Sequence, residues 1–277
     1  MRTPLITLLL VASLAQAASS PDLTAARAAE GHARYRLSLA ALREVKHPEA
    51  YVTDADHSVA TAAIDAARER LDERASRATS ETTALATTLL KFAADPATQP
   101  ALARRALHAT TAGSQALDPD LMAKVAALAL NPTSSVRLDA IVALSQLGDG
   151  SQVVTLAQLA GESEATVAEA AREGLVSIQG QGVSPAFIRG IGETTLGNRS
   201  RIALLQAATK RGMVAATPAA IQAMSEPALR LEAQKAVLKL ARKADLPALR
   251  TARGKLTSES ATQAALLDRL IVRLEKE

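Results

Sequence analysis

The chain has no cysteine and no tryptophan in 277 residues, and only two tyrosines and two phenylalanines. Without cysteine there can be no disulfide, no thiol nucleophile, no thiolate metal ligand and no lipid-bearing N-terminal cysteine. Stability must therefore come from buried apolar side chains. With Tyr35, Tyr51, Phe92 and Phe187 as the whole aromatic complement, the flat apolar walls typical of small-molecule and sugar sites are scarce, and no deep ligand pocket is expected. Long apolar runs are also missing after residue 21, because Lys, Arg, Asp or Glu interrupts every helical segment, so no spanning helix follows. Reaction signatures are missing too: no His-Glu-x-x-His, no Gly-x-Ser-x-Gly, no P-loop and no complete dinucleotide fingerprint. Gly180-Gln181-Gly182 and Gly190-Ile191-Gly192 are too short to cradle a phosphate and read as turn punctuation. A protein that is not an enzyme, with no cofactor, is the expectation.

Alanine and leucine supply most of a 48% apolar content. Both are strong helix formers, whereas strands favour the β-branched and aromatic residues that are scarce here, so the chain reads as all-α. Its start has a separate meaning. Arg2, an apolar run over residues 5–14 and the small residues of Ala15-Gln16-Ala17 match a secretory signal cleaved after Ala17. An uncleaved anchor would need about 20 apolar residues to cross a bilayer, more than this run holds. An exported protein, periplasmic or extracellular and not membrane-spanning after cleavage, is expected.

Along the mature chain, residues 22–46 read as one helix, started at Pro21-Asp22 and stopped at His47-Pro48. A loop over 48–55 follows. A second helix over 56–78 carries Ala60, Ile64, Ala67, Leu71 and Ala75 as one apolar stripe. A third starts at Ser80, places Leu85, Leu89 and Phe92 on one face and ends at Asp95-Pro96. These three suggest a helical hairpin or short bundle over residues 18–95.

From there the chain is periodic. Val136, Ala140, Ala143, Leu144 and Leu147 superpose without a gap on Leu229, Ala233, Ala236, Val237 and Leu240 over 13 residues, the spacing of a helix that buries one face. Val167, Ala171, Gly174, Leu175 and Ile178 repeat the template, and Ser200, Leu204, Ala207, Ala208 and Gly212 repeat it more loosely, with a period of about 31 residues. After each copy comes a turn and a short second helix, expected over 153–160, 185–191, 218–224 and 246–255. A weaker copy precedes them, through Leu102, Ala106 and Ala109 to Leu130, and a closing helix over 260–274 follows.

Val136-Arg137-x-x-Ala140-x-x-Ala143-Leu144-x-x-Leu147-Gly148-Asp149 and the Leu229-Arg230 copy resemble HEAT-like repeats, specifically the short kind first noted in phycobilisome lyases. The resemblance covers about residues 98–259. It departs from the pattern at Ser200, where an apolar anchor belongs, and does not extend to residues 18–95. It implies an α-solenoid of stacked pairs, in which one pair cannot bury its face alone, with second helices lining a concave side. Exposed Arg189, Arg250 and Arg253 then become the candidate partner contacts. The organisation expected is a signal at 1–17, an N-terminal helical region at 18–95, repeats at 96–259 and a closing helix at 260–277. The lyases sharing such repeats act on bilins in the cytoplasm, which conflicts with export, and a shared fold is weak support for a shared activity.

One cluster could hold a metal: His47, Glu49, Asp54, Asp56 and His57 lie in and around the first loop, with imidazole and carboxylate donors suited to zinc or manganese. The competing account makes His47 a cation at a helix end and Asp54 or Asp56 an N-cap. Charge is uneven along the repeats. Residues 111–198 carry four Lys/Arg against nine Asp/Glu, a net of −5, whereas residues 199–277 carry fifteen against seven, a net of +8. The basic end suits an acidic protein, a polyanion or an anionic lipid surface; alternatively, stripes such as Lys235, Lys239 and Arg242 are solvated outer faces. Nucleic acid is not expected, because residues 199–277 offer no aromatic for base stacking. A protein partner fits best.

Overall fold

The computed structural model describes residues 22–73, 80–112, 118–256 and 261–276. The signal segment expected at 1–17 lies outside them. Among the described residues there is no strand, and the chain divides into two compact units between Val125 and Ala126. The all-α reading holds.

In the first unit, α1 (Thr24–Ala28) and α2 (Gly31–Arg43) replace the single helix expected over 22–46. The break has a local cause. Ala29 and Glu30 are extended, and Gly31 sits at φ +52°, a conformation that disfavours any side chain. Arg34 Nε then donates to the freed Ala29 carbonyl at 2.8 Å, satisfying a helix end that has lost its own partner. A 3-10 turn (Pro48–Tyr51) leads to α3 (His57–Glu73), followed by α4 (Ser80–Ala94) and α5 (Pro100–Thr110). Of the expected stripe, Ala60, Ile64, Ala67 and Leu71 are fully buried, with Val59, Ala62, Ala63 and Ala66 buried beside them, and Ala75 lies outside the described residues. Two apolar faces make α3 the central helix, packed by α2, α4 and α5. Polar links join the same helices: Tyr35 Oη donates to Asp65 at 2.7 Å, and Arg105 forks onto both Asp65 oxygens at 2.6 Å. Burial, then the Asp65 carboxylate, pushes the Tyr35 phenol above its ordinary pKa.

The helix α6 (Pro119–Leu130) contains the division. The second unit then runs through α7 (Arg137–Leu147), α8 (Val153–Ala160), α9 (Ala165–Ser177), α10 (Val183–Gly192), α11 (Asn198–Lys210), α12 (Thr217–Ala223), α13 (Arg230–Leu240), α14 (Leu246–Gly254) and α15 (Ala261–Lys276). Two layers run through it in order. The first helices of the pairs stack α7 on α9, α9 on α11 and α11 on α13, and the second helices stack α8 on α10, α10 on α12 and α12 on α14. Each pair thus touches the next, as a solenoid requires.

The repeated apolar positions supply the core. Ala143, Gly174, Ala207 and Ala236 occupy one register, all small and all buried, which lets successive first helices approach closely. A Cβ on Gly174 would lie 3.0 Å from Ser145 Cβ on the helix before it. Ser200, the irregular anchor, is buried where Gly161 leaves room: a Cβ there would stand 2.5 Å from Ser200 Oγ. Successive turns also meet through glycine. Gly150 N donates to Gln181 O at 2.9 Å, and a Cβ on Gly150 would fall 2.4 Å from the backbone of Gly182, itself at φ +75°.

Candidate partner-binding surface

Between the stacked pairs of the second unit, buried arginines act as clamps. Arg137 opens α7 with its side chain 8% exposed; its Nε donates to Ala129 O at 2.9 Å, and its other nitrogens reach Glu162 at 2.6 Å and Glu164 at 3.1 Å. Arg201 repeats the arrangement on α11. Its Nε donates to Ile191 O at 2.8 Å, and both terminal nitrogens grip Glu226 at 2.6 and 2.7 Å. The hydrogen bond from Arg201 holds the Glu226 carboxyl below its ordinary pKa. Both clamps close across 25 residues.

Aligned on the repeat, the clamp register reads Arg137, Ala168, Arg201 and Arg230, and the position 25 residues on reads Glu162, Glu193, Glu226 and Lys255. In the copy with Ala168, Arg172 one turn later donates to Ala160 O at 3.2 Å, while Glu193 accepts from the Thr195 hydroxyl and amide, which lower its pKa. In the last copy Arg230 Nε is buried with no hydrogen-bond partner among the described residues. A further arginine, Arg211, donates to the carbonyls of Val176 and Ile178 at 2.7 Å where α9 ends and stands 5.6 Å from the Phe187 ring centroid. Burial lowers its pKa below the usual arginine value. Arg137 and Arg230 stood in the repeat motif, but their role was missed; the visible signal was the acid recurring 25 residues on.

Away from the core, the first helices carry leucines that packing does not use. Leu138 on α7 and Leu231 on α13 are 44% and 64% exposed, at the register where α11 carries half-buried Ile202. Leu238 on α13 and Val272 on α15 are exposed as well, and Leu238, Leu266 and Leu270 line a groove between α13 and α15 rimmed by Arg269 and Arg273. Between α9 and α11 the equivalent groove is more polar, lined by Glu169, Arg172, Arg199, Gln206 and Lys210 around Ile202 and Ala203.

The three arginines singled out from the sequence lie on second helices and do not converge. Arg189 is exposed on α10. Arg250 and Arg253 are on α14 and pair with the closing helix, at 2.5 Å to Glu275 and 2.8 Å to Asp268. In the first unit, the metal candidates have other occupations. Asp54 pairs with Arg27 at 2.6 Å and accepts the Asp56 amide; Asp56 pairs with Arg34 at 3.1 Å and accepts the Ser58 amide. His47 lies 3.0 Å from Glu49, and His57 is exposed at the start of α3. Among the described residues no three His, Asp or Glu side chains are grouped to hold a metal ion, and no helix is long and apolar enough to cross a membrane. No protein-family model matches the chain, and no curated protein matches it.

Proposed function

We propose that the chain is an exported, non-catalytic scaffold that binds a partner protein through the surface of its stacked, HEAT-like helical pairs. The observation that carries this reading is the exposed Leu138 and Leu231, with half-buried Ile202, at one register of three of the four first helices, α9 carrying Glu169 there. Scattered exposed leucines need no explanation, but apolar side chains that recur at one register of a stack of helices support a contact surface. Arg250 and Arg253, engaged by the closing helix, offer less to a partner than these side chains do. A photo-reactive residue at position 231 tests the reading in intact cells. A discrete cross-linked protein, lost when Leu138 is changed to Glu with the photo-reactive residue kept at 231, is the expected result; no protein adduct, together with consumption of a small substrate by the purified chain, would refute it.

A second reading is favoured by the exposed Arg199, Lys210, Lys239 and Arg269: attachment of the basic terminal repeats to a polyanion or an anionic membrane surface. Such binding must weaken steeply with salt, since exposed charges are screened beyond about 8 Å at physiological ionic strength. Salt-independent association with anionic vesicles would exclude it.

A further inference from the structure

The last copy of the arginine clamp is built but not closed. Arg137 and Arg201 each hold a carboxylate supplied 25 residues later. At Arg230 that position is Lys255, so the acid has been exchanged for a second cation. Among the described residues Arg230 has no ion pair, and its Nε is buried without an acceptor. Where the clamps of earlier pairs are filled, a cavity of about 560 Å³ opens instead, with Arg230, Lys255 and Gln263 on its wall beside Ile221, Met224 and Leu267. Gln263 Nε2, from α15, takes the Met224 carbonyl at 3.4 Å, so the end of α12 is served without the arginine. A guanidinium set in a partly apolar wall, with a lysine beside it, favours a planar bidentate anion.

We infer that this cavity is a socket for a carboxylate from outside the chain, the Asp or Glu side chain of a partner's peptide segment with an apolar residue next to it. The inference rests on the partner-binding reading above and names the chemistry the partner must present. The incoming carboxylate takes the place that Glu162 and Glu226 take at the earlier clamps, and the apolar neighbour packs against Ile221, Met224 and Leu267. Lys255 adds attraction and keeps the chain from filling the socket through that turn.

The test follows the side-chain Nε–Hε signals of Arg137, Arg201 and Arg230 by nitrogen–proton NMR of the full chain, the Arg230 signal being assigned by its loss in R230K. Titration uses the blocked peptide acetyl-Gly-Leu-Glu-Gly-amide, with its Gln counterpart as control. The glutamate peptide should shift the Arg230 signal saturably, its carboxylate meeting the terminal nitrogens of the same guanidinium, and the glutamine peptide should not. Lys255→Glu returns an acid to the turn without removing the arginine, and should lower peptide affinity about tenfold or more, the effect of losing a charge-assisted contact. Equal responses to both peptides, an undiminished response in K255E, or no response at all would overturn the inference. So would a peptide-free Arg230 signal that E259Q displaces, since Glu259 would then be the occupant. Cross-links from position 231 are read separately in cells, so their survival alongside a silent Arg230 signal would refute the socket and leave the scaffold standing.

Discussion

Removing the Arg201 side chain should cost the second unit far more than removing a surface ion pair, and the geometry says roughly how much. Arg201 is 3% exposed and donates three hydrogen bonds, one to Ile191 O and two to Glu226. In Arg201→Ala, Glu226 is 40% exposed on its side chain and can turn to water, so the penalty of stranding a buried charge does not apply in full. What is lost is a set of charge-assisted bonds, worth about 1.5–3 kcal/mol, and the packing of a buried aliphatic stem, worth about 1 kcal/mol more. An overall loss of about 2.5–4 kcal/mol follows from adding the two. Arg201→Lys keeps the charge but not the fork, and cannot reach Ile191 O and both carboxylate oxygens together; it should lose about half as much. A double-mutant cycle with Glu226→Ala isolates the ion pair, with an expected coupling of about 1–2 kcal/mol. Because stacked repeats can unfold in sections, hydrogen exchange resolved by helix is the appropriate assay beside urea unfolding. The loss should be concentrated in α10, α11 and α12. A cost under about 0.5 kcal/mol, typical of an exposed site, or a coupling of zero would refute the clamp.

Three further outcomes are expected. Gly150→Ala must push apart the turns before α8 and α10, where its Cβ would lie 2.4 Å from Gly182, and should cost about 1–3 kcal/mol as overpacking does; an unchanged midpoint of urea unfolding would contradict the close approach. Leu144→Ala and Leu240→Ala both empty buried sites and should each cost about 2–5 kcal/mol, but L144A should lower exchange protection in α8 and α9, whereas L240A should fray α13, α14 and α15 and spare residues 136–147; equal loss everywhere would mean one undivided core. The Arg201 hydrogen bond holds the folded pKa of Glu226 below the ordinary glutamate value, so its contribution is present above the unfolded pKa and is lost as pH falls through the folded one. The stability difference between wild type and E226Q should therefore shrink on going from about pH 6 to about pH 3, and a difference that grew on acidification would have the wrong sign for this linkage.

The helical layout was legible because periodicity is a local property. Val153–Ala160 matches the span read from the sequence, and the other three short helices agree within two residues at each end. The break at Gly31 was not legible. A glycine within a helical pattern is ordinarily tolerated at modest cost, and only the backbone shows that Gly31 takes a positive φ after an extended Ala29-Glu30. Candidate contacts were less legible still. Arg250 and Arg253 read as free surface cations because their acids, Glu275 and Asp268, lie 25 and 15 residues away on a separate helix. Exposure is a property of neighbours, which a linear pattern does not contain.

By itself the amino-acid sequence determined that helices form, which face of each is apolar and that one pattern recurs, because propensity and the 3.6-residue period act within a few turns of chain. Tertiary structure alone decided which polar groups those helices share. Stacking carried Glu162 to Arg137 and Glu226 to Arg201, and the same stacking brought Arg230 beside Lys255 and a cavity. A lone arginine in a sequence is an exposed cation by default. Burial between two layers of helices is what turns one into a clamp and leaves another waiting for an acid, because removal from water makes the missing partner costly.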